Sequence, residues 1–249
     1  MIRTLLAAAL LAAAPLAAQA QSFSEEETDE IQRIVRAYLI ANPEVIEEAV
    51  IELQARRDAQ DAEAARIAIA ERADELLSDT RDFSVGPANA PVQIVEFFDY
   101  NCPYCRVAAP WVRDIIAAHP DDVRVVFKEA AIFADSNDSS GPAAQAAVAA
   151  AKLDPDRYLD LHFALMDLSG TIPESQVRTI VEDVGLNWRR TERVMKSPET
   201  AEQLVDTLDL LDAVGGTGTP TFIVNGQLIV GAKTEELQML VDATLAAAD

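Results

Sequence analysis

The chain contains two cysteines, and they lie three positions apart in Cys102-Pro103-Tyr104-Cys105. Two thiols at this spacing can exchange disulfides, close a structural cross-link or hold a metal. In exchange, a thiolate attacks a disulfide, a mixed disulfide forms and the second thiol resolves it. A cross-link over so short a loop contributes little, about 2 kcal/mol against about 4.7 kcal/mol for a loop of a hundred residues. A chain of 249 residues has core enough without it. Structural zinc takes four ligands, and beyond the two thiols only His119 and His162 could add nitrogen. Those two read more simply as a helix-end residue and a residue at a helical core edge. Disulfide exchange is the expected chemistry, with no cofactor and no metal; the reactive group is a Cys102–Cys105 disulfide.

The flanking sequence places the pair. Val92 to Phe98 is β-branched and aromatic, the pattern of a buried strand. A helix is expected from Pro103 to about Ala118, with Pro110 inside it as a kink. Cys102 then stands at a helix N-terminus, where free N–H groups and the positive dipole end favour a thiolate. Cys105 lies one turn further in. Glu96 interrupts the apolar strand. A buried carboxylate there has a raised pKa and can take up the Cys105 proton; a strand-end glutamate facing solvent is the alternative.

Val123 to Phe127 reads as a second buried strand. Helical segments follow over 141–152, 155–168, 174–184 and 187–212, broken by Pro, Gly or Asn. Thr221 to Val224 and Leu228 to Val230 flank Asn225-Gly226, a two-residue hairpin signal. A last helix runs from Thr234 to about Ala247. The core order is strand, helix, strand, helical insertion, hairpin, helix.

Residues 24–80 read as wholly helical. Thr28 is the expected first cap, with Ile31, Ile34, Val35, Tyr38 and Leu39 on one face. Asn42-Pro43 ends that helix and starts the next. Ile46, Val50 and Leu53 continue the stripe before Gln54 to Arg66 turns polar and alanine-rich. Such a helix buries little alone, so it packs on a second copy or stands as a solvated arm.

The first residues read as a secretory signal: Arg3, then an apolar run from Leu5 to Ala18 broken only by Pro15, then Ala18-Gln19-Ala20 as the cleavage site. The run is shorter than the ~20 residues a membrane span needs. The mature chain is expected to be soluble in an oxidising compartment. The full sequence's net charge of −22 argues against nucleic acid and anionic lipid as partners.

Residues 83–249 resemble the DsbA-like thioredoxin family of bacterial periplasmic oxidoreductases. Phe97-Phe98-Asp99-Tyr100-Asn101-Cys102-Pro103-Tyr104-Cys105 resembles its active-site strand and turn. Pro110 matches the proline of its active-site helix, and Thr219-Pro220-Thr221-Phe222 resembles its cis-proline loop. The Asn42-Pro43-Glu44-Val45 arm resembles the N-terminal extension of the ScsC-like and Com1-like subgroup, which serves oligomerisation. The resemblance implies an α/β thioredoxin fold with a helical insertion at about 136–214. It divides the chain into a signal peptide (1–20), a helical arm (21–81) and a catalytic domain (82–249). Cys102 would be the exposed nucleophile, Cys105 the buried resolving thiol and Glu96 the acid beneath them. Lys128 would be the lysine neighbouring that acid. Pro103, Tyr104, Thr219 and a cis Pro220 would meet substrate, with Phe133 and Trp111 adding apolar contact. Implied partners are unfolded or misoxidised exported proteins, a membrane redox partner and further copies of the chain joined through 24–80. Strong oxidases of this family carry Pro-His between the cysteines; this chain has Pro-Tyr. Neutral Tyr104 cannot stabilise a thiolate as a cation would, which shifts the expectation from oxidase towards isomerase or reductase. A dithiol oxidase, and a copper(I)-binding or chaperone module, are the competing readings.

Overall fold

Residues 23–134 and 140–248 are described by a computed structural model; the expected signal sequence and cleavage site lie outside them. Packing divides the chain into two compact units between Arg56 and Arg57. The composition break read at residue 82 lies further on. The cause is visible in the second unit, where Ala65, Ile69 and Leu76 are buried although their surroundings in sequence are polar.

The first unit is helical. α1 spans Glu25–Ala41 and α2 Glu44–Glu71, the latter crossing the division. Ser24, not Thr28, caps α1. Its hydroxyl accepts from the Glu27 N–H, and the Glu27 carboxylate accepts from the Ser24 N–H at 2.9 Å, a capping box. Thr28 sits one turn in, its hydroxyl donating to the Ser24 carbonyl. α1 buries no residue. Ile31, Ile34, Val35 and Tyr38, then Ile46, Val50 and Leu53, are all exposed.

The second unit is built on five strands: β1 (Phe83–Val85), β2 (Val92–Phe98), β3 (Val123–Glu129), β4 (Thr221–Val224) and β5 (Gln227–Val230). Their order is β1-β3-β2-β4-β5, with β2 and β3 parallel and the other pairs antiparallel. α3 (Ala73–Leu77) precedes β1, α4 (Pro103–Ala118) links β2 to β3, and α10 (Thr234–Ala248) closes the chain. Between β3 and β4 lies the helical insertion: α5 (Ser140–Leu153), α6 (Tyr158–Met166), α7 (Glu174–Asp183), α8 (Trp188–Met195) and α9 (Pro198–Ala213). This is a DsbA/thioredoxin-like α/β fold.

Three details differ from the sequence reading. β1 is an extra strand, three residues long, antiparallel to β3 and followed by Gly86 at φ +92, where a Cβ would lie 2.0 Å from the Val123 carbonyl oxygen. β3 runs two residues further, to Glu129. The helix expected over 187–212 is two helices, because the Ser197 hydroxyl accepts from the Thr200 N–H and Pro198 opens a new first turn.

The sheet sorts its side chains by strand alternation. Val92, Ile94, Phe98, Val125 and Phe127 pack on one face with α4, α5, α6 and α10. Val95, Phe97, Val126 and Ile223 pack on the other with Ile69, Leu76 and α9. The β4–β5 turn is Asn225-Gly226, with φ 46 and φ 85, the left-handed pair that a tight hairpin requires. It is pinned to β2 by the Gln93 N–H donating to Asn225 Oδ1 at 2.8 Å.

Candidate active site

α4 begins where β2 ends, and Cys102 is its N-cap residue. Its N–H donates to the Asp99 carbonyl at 3.1 Å, and its Sγ donates to the Thr219 carbonyl at 3.1 Å. The Thr219–Pro220 peptide bond is cis. Both cysteines are free thiols, and Cys102, at 3% exposure, is buried rather than the exposed nucleophile the resemblance implied. The Cys102 thiol is drawn down to about 6, chiefly by the Cys105 thiol donating to its sulfur. Burial opposes this, and the Thr219 side chain and the N–H groups of Cys105 and Tyr104 add to the pull. Cys105 is driven far the other way. Burial dominates, and the sulfur and charge of Cys102 reinforce it. The pair is therefore polarised into one thiolate and one held proton. Pro103 takes the first helical position, and Tyr104 stands 65% exposed beside the nucleophile.

Glu96 is buried at 1% exposure, on the strand face that α4 covers. Burial alone pushes its carboxyl up to about 8, and its Oε2 has no hydrogen-bond partner among the described residues. Its charge acts on Cys105.

The DSBA-like thioredoxin domain family matches residues 93–243, more than half of the chain. The chain belongs to that family. The Copper resistance protein ScsC N-terminal domain matches residues 27–60. Among solved structures, ScsC of Proteus mirabilis in a transitional conformation is 28% identical, covers 90% of this chain and 100% of its own, and has a TM-score of 0.65. A thioredoxin-like oxidoreductase from Silicibacter pomeroyi DSS-3 is 36% identical over 70% of this chain and 97% of its own, with a TM-score of 0.62. A periplasmic thioredoxin-like protein from Salmonella enterica serovar Typhimurium is 28% identical over 70% and 95%, also with a TM-score of 0.62. The chain spans about a quarter of the curated relatives it matches. One is Na(+)/H(+) antiporter NhaA 3 of Salinispora tropica, 30% identical over 66% of this chain and 26% of the antiporter. No helix among the described residues is long and apolar enough to cross a membrane.

This DSBA-like chain carries the family's fold with Cys102 and Cys105 at the start of α4. Lys128 departs from the place the resemblance gave it. In the parallel register it stands opposite Phe97, one residue out of phase with Glu96, so alternation turns it to the other face of the sheet. There its ammonium donates to Asp82 Oδ2 and, at 2.5 Å, to the Glu75 carbonyl. It clamps α3 and the start of β1 to β3. Trp111 is half-buried, with its indole N–H on Gln238 at 2.9 Å and its ring edge-on to Phe222.

The sequence reading passed over two further groups in this family's site. Glu129 lies opposite Phe98 in the parallel register, on the same face as Glu96. It accepts from Tyr158 at 2.7 Å and from Tyr100 at 3.3 Å, and Tyr100 meets His162 Nδ1 at 3.1 Å. Burial raises Glu129 well above the usual carboxylate range and lowers His162 to about 3. The second group is Asp99 with Asn101. Asn101 Oδ1 accepts from the Ile172 N–H at 3.3 Å, and Arg106 donates to the Gly170 carbonyl at 2.6 Å. The helical insertion is thus bonded to the turn that carries the cysteines. The acidic residues at the end of β3 and just before Cys102 were the available sequence signals, since each adjoins an apolar run.

Proposed function

We propose that this chain exchanges disulfides with exported proteins through Cys102 and Cys105, working mainly as an isomerase or reductase. The supporting observation is the polarised pair: a thiol drawn down to about 6 at the start of α4, over a buried partner held protonated. The Cys102 thiolate attacks a substrate disulfide, forming a Cys102–substrate bond and releasing one substrate thiolate. In the reductive branch Cys105 passes its proton to the Glu96 carboxylate and attacks the Cys102 sulfur. The Cys102–Cys105 disulfide forms, the second substrate thiolate leaves, and the substrate has gained two electrons. In the isomerising branch a substrate thiolate attacks the mixed disulfide instead, and Cys102 leaves as a thiolate.

Tyr104 in place of a cation favours a potential between the strong-oxidase and glutaredoxin limits, about −120 and −230 mV. Thr219, whose carbonyl accepts from the Cys102 thiol at 3.1 Å, together with Pro220, Pro103 and Tyr104, are the proposed substrate contacts. Export by the signal over residues 1–20 and action in the periplasm accord with the periplasmic relative. The uncovered stripe of α1 and early α2 suits self-association, and a membrane redox partner would reset the pair. Reactivation of scrambled ribonuclease by the reduced protein tests the isomerase claim; no gain over free dithiol would remove it. Light scattering tests self-association through 24–80, and a monomeric full chain would discard it. Thiol trapping in cells separates the directions: a mostly oxidised pair means a dithiol oxidase.

Copper(I) capture is the second reading, favoured by the match to a copper-resistance N-terminal domain. Two soft thiolates suit copper(I), and Cys102 and Cys105 would be its ligands. Competition with a copper(I) chelator tests it; equal competition by the wild type and by Cys102→Ser would eliminate it.

A further inference from the structure

Asp99 is 1% exposed and is bonded through every polar atom it has. Its carbonyl accepts from the Cys102 N–H at 3.1 Å, and its N–H donates to Cys105 Sγ at 3.5 Å. One residue's backbone therefore holds both cysteines. Its carboxylate reaches the other way. Oδ1 accepts from the Asn101 N–H at 2.7 Å and the Ser140 hydroxyl at 2.8 Å, and Oδ2 accepts from the Phe133 N–H at 3.1 Å. Ser140 opens the helical insertion. Phe133 and Ile132 are 38% and 37% exposed, and Tyr104 and Val107 are 65% and 63% exposed. Tyr104 and Val107 lie in α4 just after Cys102 and Phe133 is bonded to Asp99 just before it, so exposed apolar side chains adjoin the cysteine turn.

We propose that Asp99 is a positioning residue for polypeptide substrates, fixing the Ile132–Phe133 rim relative to Cys102. A cysteine segment with apolar neighbours needs that rim at a set distance from the sulfur. A small dithiol does not. Three donors converge on two oxygens, which is work for a carboxylate. An asparagine of the same size, with its oxygen at the Oδ1 position, keeps the bonds to Asn101 and Ser140 but turns its N–H2 on the Phe133 N–H. Donor then faces donor, which loosens the rim against the turn while the turn itself stands.

The inference rests on the exchange activity proposed above, and the assay separates the two. The oxidised full chain is mixed with a two-cysteine peptide carrying apolar flanks, or with dithiothreitol. In each case two thiols are oxidised to one disulfide while the Cys102–Cys105 disulfide is reduced to two thiols. A wild type inert to dithiothreitol sinks the exchange reading itself. Given exchange, Asp99→Asn is expected to raise the peptide concentration that half-saturates the single-turnover rate about tenfold and to slow dithiothreitol by a clearly smaller factor. Phe133→Ala should also raise that peptide concentration, and Asp99→Asn in that background should add less than twofold, because both act through one rim. Equal losses on peptide and dithiothreitol, or full additivity with Phe133→Ala, would overturn the proposal. If Asp99→Asn fails to fold, Ser140→Ala takes its place, with an expected peptide-selective rise of about threefold. Equal losses on both substrates from that variant overturn it likewise.

Discussion

The two faces of the central sheet bury charge in opposite ways. On the face away from the cysteines, Lys128 is 2% exposed and ion-paired with Asp82, at 4%. On the cysteine face, Glu96 and Glu129 are as deeply buried, and among the described residues neither has a cation bonded to it. A buried pair neutralises itself and fastens the elements it joins. An acid buried without a cation keeps its proton well above its ordinary range, and Glu96, pushed up to about 8, is thereby a proton donor or acceptor near neutral pH. One sheet thus keeps its cross-link and its proton chemistry apart by strand parity.

The largest expected effect tests the paired face. Lys128→Met leaves Asp82 buried without its cation and should cost about 3–5 kcal/mol in denaturant unfolding. The Cys102 thiolate, followed by its ultraviolet absorbance, should keep its midpoint near 6. A midpoint that moved with Lys128 would mean the faces are not independent.

Glu96→Gln tests the other face. A mixed disulfide on Cys102 should be resolved about 100-fold more slowly, since Cys105 loses its proton acceptor; rapid-mixing lifetimes read this directly. Stability should change with the opposite sign. The folded chain holds the Glu96 proton up to about pH 8, whereas the unfolded chain releases it near the ordinary 4.5. Between those values the folded state binds more protons, so stability falls as pH rises, by about 1.4 kcal/mol per unit from this group. Glu96→Gln should remove that slope and leave the chain more stable than wild type at pH 8. A variant slow in resolution but with the wild-type pH slope would dissociate the buried proton from the catalytic one.

The same parity explains what the sequence could and could not disclose. Cys102 and Cys105 are legible because their spacing along the chain carries their geometry, and Pro220 because Thr219-Pro220-Thr221-Phe222 resembles the family's cis-proline loop. Glu96 is legible because a charge inside Val92–Phe98 breaks an apolar run. Lys128 misled because its face depends on the β2–β3 register, which no local pattern contains. β1 was lost because three residues before a Gly-Pro turn carry too little periodicity. The Ser24 capping box is written in the sequence as Ser-x-x-Glu, but the apolar stripe that begins at Ile31 points to Thr28 as the cap. Asp99 and Glu129 needed the helical insertion in place, since their partners lie at Ser140, Tyr158 and His162.

The smallest expected effect sharpens the cysteine face itself. The fall of Cys102 to about 6 comes from Cys105, Thr219 and backbone N–H groups, not from a cation. Tyr104 is 65% exposed, so Tyr104→His adds a partly solvated charge to a thiolate that is already stabilised. It should lower the Cys102 midpoint by less than about one unit and make the disulfide more oxidising by less than about 30 mV in glutathione equilibration. The sign follows from linkage. The thiolate stabilises the dithiol form above its ordinary 9.0 and loses that contribution as pH falls through about 6. A lower midpoint extends the stabilised range of the reduced form, and a stabler reduced form is a stronger oxidant. A shift of 60 mV or more would assign the mildness of this site to Tyr104 alone; no shift would assign it to the hydrogen bonds around Cys102.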